Sequence, residues 1–355
     1  MRIAQVAPLD ESVPPRLYGG TERIVSYLTE TLVQAGHEVT LFASGDSVTG
    51  AELISVWDHA LRLDRRKAEP HAVHLALLEQ VFKRADAYDV IHFHTEQVHL
   101  PLAVRCATPC LTTLHNRLDT PGLELLYAEY RAHPLVSISE SQRRPLPLAN
   151  WLATIHHGLP SELHTPTKTP GKYLAFLGRV CSEKGVRQAI EIARRTGVPL
   201  KIAAKVARKD RDYFATEVEP RIDGSLIEFI GEIGEHEKTS FLGEALALLF
   251  PISWPEPFGL VMIEAMACGT PTIALNRGSV PEIIDEGVTG FIAQNVDDAV
   301  GCVESVRHLD RTACRERFEQ RFSAARMSRE YLRAYESVRE LQHGAARPDR
   351  MLATE

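Results

Sequence analysis

A strand–helix alternation runs the length of this chain, is interrupted once, and constrains the fold more than any other feature. Residues 2–7 (RIAQVA) are a short apolar run, followed by a loop carrying Pro14, Pro15, Gly19 and Gly20. Residues 21–35 then place Ile24, Leu28, Leu32 and Ala35 at helical spacing, and Gly36 is positioned to stop the helix before a second strand at 37–43. Strand, helix and strand within 43 residues make one crossover unit, because parallel strands cannot be joined by a tight turn. The pattern continues with a helix at 71–85 and strands at 89–94, 110–115, 134–139 and 154–157. Pro160, Pro166 and Pro170 then break the periodicity, so residues 159–171 read as a linker. A second series follows: strands at 173–177, 200–205, 227–230, 247–251 and 271–274, helices at 185–196 and 238–244, and a loop and helix at 257–268. The expected fold is α/β, with two doubly wound Rossmann-like domains, 1–158 and 172–325, facing each other across a cleft. Residues 307–341 read as helical, with the last helix (about 326–342) packing back on the first domain and the tail from 344 to 355 frayed.

The length suits two domains. With 40 basic and 47 acidic residues the net charge is −7, and the deficit is shared: −4 over residues 1–158 and −3 over the rest. Neither half offers the basic surface of a nucleic-acid binder, and no apolar run approaches the length of a membrane span. The first residues enter a strand without a signal-peptide core. The six cysteines lack CxxC pairing and several lie in apolar stretches, as buried thiols of a reducing cytoplasm do. A cytoplasmic monomer or homodimer, open to peripheral membrane contact, is the expectation.

Helix N-termini carry partial positive charge and unpaired N–H groups, so a doubly wound sheet suits a diphosphate. Three motifs stand where such a ligand would lie. Gly19-Gly20-Thr21-Glu22 precedes the first helix; it reads either as a loop with Thr21 or Glu22 as cap, or as a backbone nest for phosphate or sugar. Its glycines arrive a dozen residues after the first strand, which argues against a GxGxxG dinucleotide fingerprint and an NAD dehydrogenase. The second, Gly178 to Gly185 (GRVCSEKG), sets Arg179 and Lys184 five residues apart at a helix start, able to neutralise a diphosphate. The third, Glu256 to Glu264 (EPFGLVMIE), spaces two carboxylates eight residues apart across a Pro-Phe-Gly turn into a helix, whose first N–H groups at Phe258, Gly259 and Leu260 could meet a ligand.

Other features read as structural. Asp210-Arg211-Asp212 is expected to be a helix start with an N-cap aspartate, not a metal site. His92 and His94 share one face of a strand but lack a third ligand, so no metal is expected. The arginines from 307 to 333 read as a solvated helix face.

Together GGTE, DVIHFH, TTLHN, SISES, TIHHG, GRVCSEKG, FIGEI and EPFGLVMIEAMACGTP span nearly the whole chain. In that order they resemble the retaining GT-B glycosyltransferases of family four (group 1). The resemblance implies that Glu256 bonds the donor sugar's hydroxyls, that Phe258, Gly259 and Leu260 touch sugar or phosphate, and that Glu264 holds the ribose. It also implies that Arg179 and Lys184 bind the diphosphate, Ile233 meets the base, and His115 faces the donor sugar. Gly19 and Gly20 would lie near the reacting centre, and His94 and Glu96 would meet the acceptor. His157-Gly158 departs from a frequent Asn-Gly, with little effect expected at a hinge. The implied activity is retaining hexosyl transfer from a nucleoside-diphosphate sugar, UDP-glucose first, to a hydroxyl acceptor. It would need neither metal nor cofactor, with acceptor choice carried by loops 9–18, 45–70 and 116–130. A sugar-nucleotide epimerase of the same fold and a catalytically silent nucleotide-sugar-binding protein are the alternatives.

Overall fold

The computed structural model describes residues 1–345 apart from Tyr18 and Leu63, with side chains to residue 342. Residues 346–355, most of the tail expected to fray, lie outside the described residues. The chain divides into two compact units, one of residues 1–138, 143–156 and 324 onward, the other of residues 139–142 and 157–323.

The first unit holds seven parallel strands: β1 (Arg2–Val6), β2 (Glu38–Phe42), β3 (Glu52–Ile54), β4 (Val90–Phe93), β5 (Cys110–Thr113), β6 (Leu135–Ser137) and β7 (Trp151–Thr154). Their spatial order is β3-β2-β1-β4-β5-β6-β7. The chain runs outward from β1 on one side and from β4 on the other, so the order reverses between these two strands. Ligands of such sheets gather outside the carboxyl ends of the strands at this reversal. The helices are α1 (Gly20–Gln34), α2 (Pro70–Phe82), α3 (Leu100–Ala103) and α4 (Leu123–Glu129); α5 (Glu140–Arg143) belongs to the second unit but for Arg143. Helix α1 buries Ile24, Leu28 and Leu32, as its spacing requires, and Gly36 follows it at φ 83°. Its N-cap is Gly19 and no side chain caps it; Glu22, expected as a possible cap, is buried in the first turn instead.

The second unit holds six parallel strands: β8 (Tyr173–Arg179), β9 (Leu200–Lys205), β10 (Ile227–Gly231), β11 (Ala245–Phe250), β12 (Thr272–Leu275) and β13 (Gly290–Ala293). Their order is β10-β9-β8-β11-β12-β13, with the reversal between β8 and β11. Helices α6 (Val186–Thr196), α7 (Arg211–Tyr213), α8 (Glu235–Gly243), α9 (Leu260–Ala267), α10 (Val280–Ile283), α11 (Val296–Ser305) and α12 (Arg311–Arg321) accompany them. Helix α6 is amphipathic: Val186, Ala189, Ile190 and Ala193 enter the core, Arg187, Glu191 and Arg194 do not, and Gly197 ends it in the left-handed region. Helix α9 is apolar on most faces and correspondingly buried.

Helix α13 (Ala324–Ala345) follows the second unit in sequence but belongs to the first, where it packs beside α1. The stretch expected as a linker packs within the second unit. Thr167 N–H donates to Cys268 C=O at 3.0 Å, and Arg315 donates to the carbonyls of Ser161 and His164. This corrects the solvated face expected for the late arginines at Arg311 and Arg315, while Arg307, Arg317, Arg329 and Arg333 are exposed. Arg311 is 4% exposed and donates to the carbonyls of Thr167, Gly243 and Ala245, while Arg315 reaches Ala267 C=O at 2.7 Å. Gly243 and Ala267 end α8 and α9, so the two guanidinium groups satisfy carbonyls that those helices leave orphaned. Among the described residues all six cysteines are free thiols, and no helix is long and apolar enough to cross a membrane.

Candidate active site

In the second unit the loops after β8 and β11 flank the strand reversal and are in direct contact. A Cβ on Gly185 would stand 2.0 Å from Pro251 C=O, and its φ of +76° already disfavours any other residue. Ser253 N–H donates to Glu183 C=O at 2.9 Å, tying the loops together. This contact brings two of the sequence candidates together: Lys184 Nζ lies 2.5 Å from Glu256 Oε2, with the ammonium 5.0 Å from the Trp254 ring centroid. Arg179 ends β8, 3.5 Å from Asp210. That aspartate precedes α7 without a capping hydrogen bond, so the cap expected there is replaced by an ion pair with Arg179.

After Glu256 the chain turns through Phe258 and Gly259 into α9. Gly259 takes φ +81°, and a Cβ there would meet Met262 Cε at 2.8 Å and Phe250 Cζ at 3.0 Å. Phe258 is buried, 4.8 Å ring to ring from His157, so the unusual His157 packs against the turn of the motif. Ser279 fixes both sides of the turn, its N–H donating to Glu256 C=O and its hydroxyl to Phe258 C=O. Leu260 begins α9, and Glu264, in its second turn, is 2% exposed. Its carboxylate accepts from Lys238 Nζ at 2.7 Å, and Lys238 also lies 3.1 Å from Glu235. Lys238 escaped the sequence reading because only the packing of α8 against α9 brings it to Glu264. Ile233, between β10 and α8, is partly buried and packs against the core cluster that includes Phe241, Leu248 and Ala265.

In the first unit the candidates gather at the carboxyl ends of β1, β4 and β5. His115 follows β5 and is 9% exposed, and burial pushes its imidazole down to about 3, so it is neutral at pH 7. Glu96 takes a left-handed backbone, φ 51°, and accepts from the N–H of His115 (3.0 Å) and from the backbone and side chain of Asn116. Burial raises its carboxyl to about 7 against these hydrogen bonds. Glu96 therefore anchors the loop that carries His115. His94 is fully buried, with Nδ1 2.9 Å from His115 Nε2 and Nε2 2.8 Å from Gln5 Oε1. This corrects the expectation that His94 meets an acceptor: both ring nitrogens are engaged and the ring stands behind His115. Gly19 lies against the loop ahead of it, where a Cβ would be 2.7 Å from Pro15 Cβ, and Gly20 opens α1. Gln5 and Tyr335, 2.8 Å apart, are the residues the sequence reading missed here. Gln5 carried a signal, being a lone amide in an otherwise apolar strand.

Comparison with known proteins bears on the family and the fold. Residues 164–320 match the family model of glycosyl transferases group 1, and residues 18–158 match that of glycosyltransferase family 4. A Klebsiella pneumoniae protein, an uncharacterised 41.2 kDa product of the cps region, is 29% identical over 46% of each chain. The Mycobacterium tuberculosis glycogen synthase is 27% identical over 86% of each chain. Among solved structures, a glycosyltransferase of avilamycin A biosynthesis superposes with TM-score 0.73 at 22% identity, covering 96% of this chain and 98% of its own. Anabaena HepE, solved with UDP, gives 0.73 at 17% identity, covering 95% and 100%. Two doubly wound parallel sheets, candidate residues at their carboxyl ends and matches to both family models agree: the chain belongs to the group 1 glycosyltransferases of family 4 and has the GT-B fold.

Proposed function

We propose that this glycosyltransferase moves a hexose from a nucleoside-diphosphate sugar, UDP-glucose first, to a hydroxyl acceptor with retention at the anomeric carbon. The observation that carries the reading is the joined loop pair of the second unit. It sets two cations, Arg179 and Lys184, and the carboxylate of Glu256 beside the strand reversal of a parallel sheet. In this reading Lys184 exchanges Glu256 for the diphosphate, Glu256 then bonds the sugar hydroxyls, and Glu264 holds the ribose with Lys238 beside it. The N–H groups of Phe258, Gly259 and Leu260 meet sugar or phosphate, Ile233 meets the base, and Gly19 and Gly20 belong to the reacting region. HepE, the Anabaena relative, was solved with UDP, which favours uridine as the base.

The reaction reads as a same-face substitution. The bond from the anomeric carbon to the diphosphate oxygen breaks, and the acceptor oxygen bonds that carbon on the same face. The acceptor's proton passes to the departing diphosphate. Negative charge grows on the diphosphate in the transition state, so Arg179 and Lys184 supply the main stabilisation, in place of a divalent cation. His115, neutral at pH 7, positions the sugar and is no general base. The free thiols favour a reducing cytoplasm as the setting.

Thermal melts with UDP, GDP and ADP test the donor. A nucleotide at about 100 times its Kd stabilises the fold by about 2.7 kcal/mol, so one base stands out, with UDP expected. Melts unmoved by all three would remove the nucleotide-sugar reading.

A further inference from the structure

Behind His115 a chain of buried hydrogen bonds runs through the first unit to helix α13. His115 Nε2 lies 2.9 Å from His94 Nδ1, and His94 Nε2 lies 2.8 Å from Gln5 Oε1. Gln5 Nε2 donates to Tyr335 Oη at 2.8 Å, and that hydroxyl lies 2.9 Å from His92 Nδ1. His92 Nε2 continues to Thr113 Oγ1 at 2.7 Å, and Thr113 to Tyr331 Oη at 3.0 Å. Gln5, His92, His94, Tyr331 and Tyr335 are each 0% exposed, so water does not compete for these bonds.

The chain has a direction. An amide oxygen only accepts and an amide nitrogen only donates. Gln5 Oε1 faces His94, so His94 Nε2 carries the proton. A neutral imidazole has one N–H, so His94 Nδ1 accepts, and the hydrogen between the two rings sits on His115 Nε2. At the other end of the amide, Tyr335 takes the Gln5 N–H and gives its own proton to His92 Nδ1. Turning the amide over would reverse every bond as far as Tyr331 and put the His115 proton on Nδ1, so the tautomer of His115 reports which way the amide stands.

We propose that Gln5, His94 and Tyr335 are positioning residues that hold His115 in the Nε2–H tautomer, so that Nδ1, buried in this structure, serves as an acceptor, not a donor, once a substrate hydroxyl reaches it. This rests on reading His115 as a substrate-facing residue. It gives α13 a part in the chemistry: that helix, in the same unit as His115, holds the Gln5 amide through one phenol.

Nitrogen-15 spectra of histidine-labelled full-length protein report the tautomer directly, with His115→Gln assigning the resonance. The wild type is expected to show an unprotonated Nδ1 and a protonated Nε2 at His115. Gln5→Met and Tyr335→Phe each remove two neutral hydrogen bonds of the chain, Gln5→Met those to His94 and Tyr335, Tyr335→Phe those to Gln5 and His92. Each is expected to shift the His115 tautomer ratio by about five- to tenfold, with a like fall in kcat and a donor KM within about twofold. Gln5→Glu keeps an acceptor for His94 and is expected to retain the wild-type tautomer. A proton on Nδ1 of His115 in the wild type, or a ratio unmoved in both disrupting variants, overturns the proposal. If Tyr335→Phe does not fold, the wild-type spectrum and Gln5→Met decide. If His115→Ala transfers sugar at the parent rate, the reading of His115 as substrate-facing fails, while the spectra still decide whether the chain sets its tautomer.

Discussion

Replacing Lys184 with alanine lowers kcat for sugar transfer by about 10²–10³, the cost of removing one preorganised group from a developing oxyanion. Arg179→Ala has an effect of the same size. The two cations sit at the ends of one loop, between β8 and α6, and both would face the charge that appears as the sugar leaves. Because that charge is larger in the transition state than in the bound donor, the loss falls on kcat more than on donor KM. The Lys184 variant carries a second, separable effect. It strips the partner from Glu256, which is 9% exposed, and an unpaired carboxylate at such a site lowers stability. Steady-state kinetics below the variant's own melting temperature separate the two. A variant that melts earlier but turns over donor at the parent rate would leave Lys184 a structural residue.

Acidification from pH 7 to pH 5 destabilises the first unit well before most carboxylates titrate. Burial holds His92 and His99 well below their ordinary value, His115 at about 3 and His133 at about 4. In the unfolded chain these rings bind protons near pH 6.5, so below that pH the unfolded state holds up to four protons that the folded state does not. Stability therefore falls as pH drops from about 6.5 toward about 4. Two carboxyls oppose this trend. Burial raises Glu22 and Glu96 to about 7, so between about 4.5 and 7 the folded state holds two protons that the unfolded state lacks. The terms nearly cancel close to neutrality and leave a net of about two protons near pH 5.5, a loss of about 3 kcal/mol per pH unit. Chemical denaturation at pH 7, 6 and 5 reads this directly. A flat profile over that range would mean that the histidines are not held neutral.

Much of this architecture is legible in the sequence for a physical reason. Strands of a parallel sheet are covered on both faces, so they appear as short apolar runs such as β9 and β11, and the helices between them are long enough to show their period. Where burial is partial the signal fades. Strand β3 is a three-residue edge with exposed and half-buried positions, and it escapes a reading that sees only a long loop. Strand β13 and helix α11 were missed as well, and the single late helix is two, broken at Phe322 and Ser323. The site divides in the same way. Arg179, Lys184, Glu256 and Glu264 stand in local motifs whose spacing alone brings them toward one end of a sheet. Lys238 and Asp210 depend on which loops pack together, and Arg311 and Arg315 on which helix ends lie within reach. No window of sequence contains those facts. The pairing of Gln5 with His94 was closer to legible, because a buried amide in a central strand must find partners.

Calorimetric titration of UDP into the wild type and into an Arg179→Ala, Lys184→Ala double variant, with uridine as the control ligand, tests most directly whether these two cations hold the diphosphate. The expected result is a fall of at least about 100-fold in UDP affinity, the loss of two charge-assisted hydrogen bonds, with uridine binding unchanged. UDP bound equally well by both proteins would contradict the placement of the diphosphate at Arg179 and Lys184, and with it the mechanism built on that placement.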